Sequence, residues 1–357
     1  MFDILTIFCG LNNPFCYGIN GGRTPIRRIK LKNNDMIPKR LIPIILLVSA
    51  IITSAVSTSA VSSSLTTIQA QGINPYPNIG AIPLPAGYSR IPAEKNSFAA
   101  WLRTLPLKKN RTVYLYNGSP KGNQEAQFAV LDVSVNDPGI QPGAATLPPA
   151  PGICQPHQMP QAPKDLQQCA DAVMRLRAEF LYSLGDFAHI DFYTGQGTRL
   201  NFAEWLQGRR YSISGGRLIA FSAAATRLSA TPNCLRKIFG EYLQTVFTYC
   251  GTLSLEKQLD PLSSLNHMEI GDILIHGGSP GHAMLVIDMA SNQAGQKIYM
   301  LSQGYMPAQD IHIVRNLYND ALSPWYPSDG KTIYTPEYTF DPRQFRVWRR
   351  SNTISMR

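Results

Sequence analysis

From Gly271 onward the chain changes its period, and that change constrains the fold more than any other feature. DILI (272–275), AMLVIDMA (283–290), KIYMLSQ (297–303) and IHIVR (311–315) are short apolar runs separated by a few turn residues. Runs of that length between turn residues predict neighbouring strands. YTPEYTF and FRVWR then read as the closing elements of the domain. The preceding region is helical in pattern. In DLQQCADAVMRLRAEFLYSLG, Leu166, Cys169, Ala170, Val173, Leu176, Phe180 and Leu184 recur at the three-and-four spacing of one buried helix face. Asp165 is placed to cap its start and Gly185 to end it. CLRKIFGEYLQTVFTYCGTLSLEKQL predicts two helices broken at Gly251. A helix group followed by an antiparallel strand group implies an α+β fold.

At 357 residues and 44% hydrophobic, the chain can bury one large core or two small ones. Upstream of the strong helix, FAAWLRTLPL predicts a short amphipathic helix stopped by Pro106. The stretch 112–135 predicts a hairpin, with alternating strands either side of NGSPKGN. Residues 57–89 are Ser/Thr-rich, then Pro/Gly-rich and uncharged, so 61–90 reads as a flexible linker. Asn136 to Pro163 is dense in Pro, Gly and Gln and reads as a surface loop. The aromatic and Arg segment from Tyr193 to Tyr211 reads as a loop packed by its own aromatics, with a carbohydrate or peptide cleft as the alternative. The domain is therefore expected over 91–350.

The formal charge of +10 has a local origin. Residues 1–41 carry +5 and the tail from Asp341 carries +4, leaving +1 for the body. Without a basic stripe, a nucleic-acid partner has no support. The first cluster precedes LIPIILLVSAIITSAV and then STSAVSSS, the order of a secretory signal. Residues 36–60 therefore read as a signal peptide or an uncleaved signal anchor. The only membrane attachment expected is this segment. Met36 begins a more usual signal than Met1, which marks 1–35 as a leader ahead of a misassigned start. The expected location is exported: periplasm, cell envelope or extracellular space. Of six cysteines, Cys9 and Cys16 precede the signal; the remaining four, Cys154, Cys169, Cys234 and Cys250, are too few for a disulfide scaffold of this size, and none has CxxC spacing. In an exported compartment Cys234 and Cys250 are candidates for a bridge.

Two residues draw attention as chemistry. Cys169 falls in the first turn of its helix, where unpaired N–H groups favour a thiolate. It also lies on the apolar face, where cysteine is an ordinary small core residue. His282 opens AMLVIDMA directly after Gly281. A helix-start thiol facing a strand-start imidazole is the arrangement a cysteine hydrolase needs, with the ring taking the thiol proton. Gln303, one strand later, is placed to accept from the second ring nitrogen. Asp288 shares the strand but lies too far along it to reach His282. A metal held by His276 and His282 ranks below this, because H-x5-H across a Gly-rich turn lacks the helical spacing of zinc hydrolases.

CADAV at a helix start, GDILI…GHAMLVID and a following strand with a polar residue resemble NlpC-type and CHAP-type papain-like cysteine amidases. That resemblance implies a papain-like arrangement with Cys169 as nucleophile, His282 as base and Gln303 as orienter. It implies an oxyanion hole from the Cys169 N–H with the Gln167 or Gln168 side chain, and an approach to the ring kept open by Gly281. It implies no cofactor, and a peptide or peptidoglycan-like substrate. The cysteine lacks the following Ser-Gly of NlpC-type proteins, and the 113-residue gap to His282 requires an inserted segment, which 199–260 supplies. At the level of whole phrases, LQQCADAVMRLRAEFLY, GTLSLEKQL, GDILIHGGSPGHAMLVIDMA and LSQGYMPAQDIHIVRN resemble the domain-of-unknown-function family numbered 4846. Its members are largely exported bacterial proteins, and 137–163 looks like an insertion relative to it. An exported thiol amidase or peptidase is thus the expectation. The alternative is a non-catalytic envelope binding or scaffold domain with a core cysteine, and a metal-assisted hydrolase ranks third.

Overall fold

The computed structural model describes residues 7–8, 17–18, 72–135, 142, 164–223 and 231–349. The chain forms two units, 1–56 and 57–357. In the first, Ile7–Phe8 (β1) pairs antiparallel with Tyr17–Gly18 (β2). The signal segment 36–60 and nearly all of the 137–163 insertion lie outside the described residues.

In the second unit the elements are, in order, β3 (Tyr88–Arg90), α1 (Phe98–Thr104), β4 (Gln127–Val130), α2 (Cys169–Ser183), β5 (Asp191–Tyr193), β6 (Arg199–Asn201), α3 (Phe202–Leu206), β7 (Arg209–Ser214), β8 (Arg217–Ser222), α4 (Pro232–Tyr249) and α5 (Thr252–Gln258). Then come β9 (Leu259–Pro261), β10 (Ile273–His276), β11 (His282–Asn292), β12 (Lys297–Gln303), β13 (His312–Val314), β14 (Trp325–Pro327), β15 (Ile333–Tyr334), β16 (Thr339–Phe340) and β17 (Phe345–Trp348). The fold is α+β. Nine antiparallel strands form the main sheet in the order β4-β13-β12-β11-β10-β17-β9, with β14 on β12 and β3 on β11.

The sheet has two apolar faces. Ile273, Ile275, Ala283, Leu285 and Ile287 join the large core built around α2, while Leu274, Met284, Val286 and Phe340 form a smaller one. Burial on both sides explains why AMLVIDMA reads as a continuous apolar run rather than an alternating one. Helix α2 is buried from Ala170 to Leu181, not on one face only, because β11, α1, α4 and α5 all pack around it. Its charged residues are accordingly paired: Arg175 Nε donates to Glu179 Oε1 at 2.7 Å, and Arg236 also reaches that carboxylate. Gly185 ends the helix with φ +72°, as expected.

Three expectations change. The linker is already part of the domain from residue 72, since Ile79 and Ile82 are fully buried and β3 pairs with β11. Its uncharged, Pro-rich composition reflects docked irregular chain rather than a tether. The 112–135 hairpin does not form as drawn. Residues 113–121 make a tight local turn, with Lys121 N–H donating to Val113 O, whereas β4 pairs with β13, far along the chain. In place of the loop expected over Tyr193–Tyr211, β5 and β6 pair and α3 follows, and β7–β8 is a hairpin turning on Gly215 and Gly216, both at positive φ.

Candidate functional site

Cys169 is the first residue of α2. The helix is capped from Gln168, whose N–H donates to Asp171 Oδ2 at 3.0 Å. Asp165 serves differently from the expected cap. Its Oδ1 accepts from Ala308 N–H at 2.6 Å and from Gln168 Nε2 at 3.2 Å, tying the approach to the helix to the loop after β12. Gly304 sets how near that loop comes. A Cβ there would lie 2.8 Å from Gln168 O and 3.1 Å from the Ala172 Cβ, so only glycine lets the helix start sit against the end of β12. Gly304→Ala is expected to cost about 1–3 kcal/mol by overpacking, read from chemical denaturation.

The Cys169 sulfur receives the backbone N–H of Ala283, the residue after His282. Side chains alternate along β11. Ala283 faces α2, and the His282 ring lies on the other face, against Tyr305, Tyr338 and Phe340 at centroid distances of 5.1, 5.4 and 6.0 Å. Tyr305 and Tyr338 also lie within electrostatic range of Cys169. His282 is buried, and its Nε2 lies 2.7 Å from Gln303 Oε1. The structure thus brings Cys169, His282 and Gln303 to one end of the sheet.

Electrostatics here oppose the expected thiolate. Burial pushes the Cys169 thiol up from 9.0; the Ala283 N–H lowers it, and the nearby Asp171 raises it. Burial of Asp171 in turn raises its own carboxyl well above 3.8. Burial lowers His282 below 6.5, opposed by the Gln303 bond and the Glu337 charge. Desolvation outweighs the helix terminus, and both groups rest in their neutral forms, thiol and imidazole.

The remaining predicted residues are placed otherwise. Gln167 is buried with Oε1 accepting from Arg175 at 3.0 Å, which makes it part of the α2 ion network. Gln168 Nε2 is engaged by Asp165. Of the proposed oxyanion donors, the Cys169 N–H is the one at the thiol, and the Ala170 N–H, which the sequence reading did not name, joins it there. Gly281 does not open a path to the ring. The space its Cβ would take is held by Gly278 O at 2.4 Å, Thr252 Oγ1 at 2.6 Å and His276 O at 2.9 Å. His276 pairs directly across from His282, but it is exposed and its Nδ1 accepts from Gln344 Nε2 at 2.7 Å. Among the described residues no group of three or more His, Cys, Asp and Glu is arranged to hold a metal. Asp288 is fully buried between Arg90 and Arg103, away from the site. Two cavities, of about 410 and 470 Å³, are lined by neither Cys169, His282 nor Gln303.

Behind Gln303 lies a polar cluster that motif reading missed. Gln303 Nε2 lies 3.2 Å from His312 Nε2 and donates to Glu337, and Glu337 pairs with Lys121. These residues come from β13, the β15–β16 turn and the loop before β4, with no fixed spacing to His282. The one visible signal was a lone carboxylate inside the aromatic segment YTPEYTF.

The fold and site define an α+β domain whose central helix presents a cysteine at its first turn to the head of an antiparallel strand. The chain belongs to the family described as Domain of unknown function (4846), which matches residues 80–147 and 155–347. The match is broken only at 148–154, inside the Pro-rich stretch read as an insertion. No curated protein and no solved structure matches the chain.

Proposed function

We propose that this domain is an exported thiol hydrolase of papain-like arrangement, cleaving an amide in a peptide of the cell-wall type. The observation that carries the reading is the His282 Nε2–Gln303 Oε1 contact of 2.7 Å beside a thiol held by the next residue's N–H. An amide oxygen only accepts, so Nε2 carries the ring proton and Nδ1 is left with the lone pair a base requires. In the first half-reaction Nδ1 takes the thiol proton as sulfur bonds to the acyl carbon. The resulting oxyanion meets the Cys169 and Ala170 N–H groups at the head of α2. The imidazolium then protonates the leaving amine as the C–N bond breaks, leaving a thioester. Water, deprotonated by the same nitrogen, displaces the thiolate, which recovers the proton.

Export is supported by the signal-like segment and by Cys234, which is disulfide-bonded. Its partner is not Cys250, because Cys169 and Cys250 are both free thiols. The Cys234–Cys250 bridge named as a candidate from the sequence is therefore not formed.

The test is digestion of purified peptidoglycan by the full chain. Wild type should release peptide fragments, and Cys169→Ala should release none while melting at an unchanged temperature. Equal release by Cys169→Ala would overturn the reading. A second reading, a binding or scaffold domain with a core cysteine, is favoured by the burial that raises the thiol pKa. It expects no peptide release by either protein and no iodoacetamide labelling of Cys169 until the chain unfolds.

A further inference from the structure

The hydrogen bonds around Gln303 run in one direction, and their direction is set at the far end. The His312 Nδ1 lies 3.0 Å from Asp310 O, and a carbonyl can only accept, so Nδ1 carries the His312 proton. Its Nε2 is then an acceptor, facing Gln303 Nε2 at 3.2 Å. Glu337 Oε2 faces the same amide nitrogen, while its Oε1 is paired with Lys121. A carboxylate paired with an ammonium also only accepts. Both amide hydrogens of Gln303 are therefore taken, by His312 and by Glu337. The amide cannot flip, because its oxygen would then face two acceptors inside the protein. With the amide fixed, Oε1 must face His282, and His282 must carry its proton on Nε2.

We propose that Glu337, anchored by Lys121 and assisted by His312, is a positioning residue that locks the Gln303 amide and through it the tautomer of His282. The proposal rests on reading His282 as the base and adds the group that makes its Nδ1 available. His312 is suited to the part because burial, opposed by its bond to Asp310, lowers its pKa to about 4, so it stays neutral at working pH. Glu337 acts on His282 through the intervening Gln303 amide.

The experiment is two-bond ¹⁵N–¹H correlation on full-length protein labelled in histidine, which distinguishes the two neutral tautomers of each ring. The wild-type His282 should appear as the Nε2–H form. Glu337→Gln keeps the side-chain shape but can donate as well as accept, which leaves His312 as the one fixed acceptor of the Gln303 amide; the Nδ1–H form of His282 should then become detectable beside the Nε2–H form. Glu337→Ala should do the same if it folds, and Glu337→Gln decides the matter if it does not. A His282 that remains wholly Nε2–H in a folded Glu337→Gln protein would overturn the proposal, as would a wild type in the Nδ1–H form. Iodoacetamide labelling of Cys169 on the same samples bears on the nucleophile reading alone. An inert thiol with a tautomer shift sinks that reading and leaves the lock standing; a reactive thiol without a shift does the reverse.

Discussion

Asp288→Ala should lower the unfolding free energy by about 3–5 kcal/mol, the range for removing one partner of a buried ion pair. The Asp288 side chain is fully buried, and its two oxygens accept from Arg90 Nε and Arg103 Nε at 2.7 Å each. It also accepts from the Met289 N–H at 2.8 Å. Removing the carboxylate leaves two guanidinium groups, 23% and 16% exposed, facing each other without a counter-charge. Each arginine has a backbone carbonyl as a second partner, Ile82 O for Arg90 and Ile91 O for Arg103, so neither can swing freely to water. Asp288→Asn keeps the shape and one acceptor, and should cost less than the alanine variant. Urea denaturation of the three proteins measures the order. A loss below about 1 kcal/mol for the alanine variant would mean that the arginines reach water after all. The damage should be local first. Arg90 and Arg103 lie on β3 and α1, so hydrogen exchange should quicken there before it quickens in α2 or β12.

The sequence-level reading succeeded where one periodicity governed a whole element. Helix α2, the break at Gly251 and strands β10 to β12 all follow from spacing, and so does the α+β class. It failed where long-range packing decides. Residues 72–90 look like a linker because they lack charge and regular period, yet Ile79 and Ile82 are core. β4 was drawn with its sequence neighbour because hairpins are the local default, but its actual partner is β13. The site divides the same way. Cys169, His282 and Gln303 each open or close a regular element, so position along the element made them visible. Tyr305, Tyr338, His312 and Glu337 sit in loops, a turn and a three-residue strand, and only the tertiary fold brings them to the ring. The expectation of a ready thiolate failed for a different reason. A helix terminus is read from sequence, whereas the burial that opposes it is not.

That burial sets the second large effect, the pH dependence of the thiol. The Cys169 pKa lies above 9.0 and the His282 pKa below 6.5, both displaced by desolvation. Between those values the pair is thiol and imidazole, not thiolate and imidazolium. Iodoacetamide reacts with the thiolate, so the labelling rate of Cys169 should climb about tenfold per pH unit from pH 7 to pH 9 and should not level off by pH 9. A preformed ion pair would instead give a plateau reaching down to acid pH, and a flat profile between pH 6 and 8 would refute the neutral pair. The sign agrees with stability. An acid whose pKa is raised by folding contributes stability that is present below its unfolded value and lost as pH rises through the folded one, so Cys169→Ala should narrow the stability loss seen above pH 9. Cys250 serves as the internal control. Burial raises its pKa further still, with Asp171 adding to the rise, and its labelling should lag that of Cys169 throughout. On the proposed thiol-hydrolase reading His282→Ala removes the base, and peptide release should fall by about 10²–10⁴-fold, the ordinary contribution of a general base. Alkaline labelling of Cys169 should survive in the same variant, because hydroxide then removes the proton. Loss of turnover with retention of alkaline labelling is the pattern that separates a base from a residue that only holds the fold.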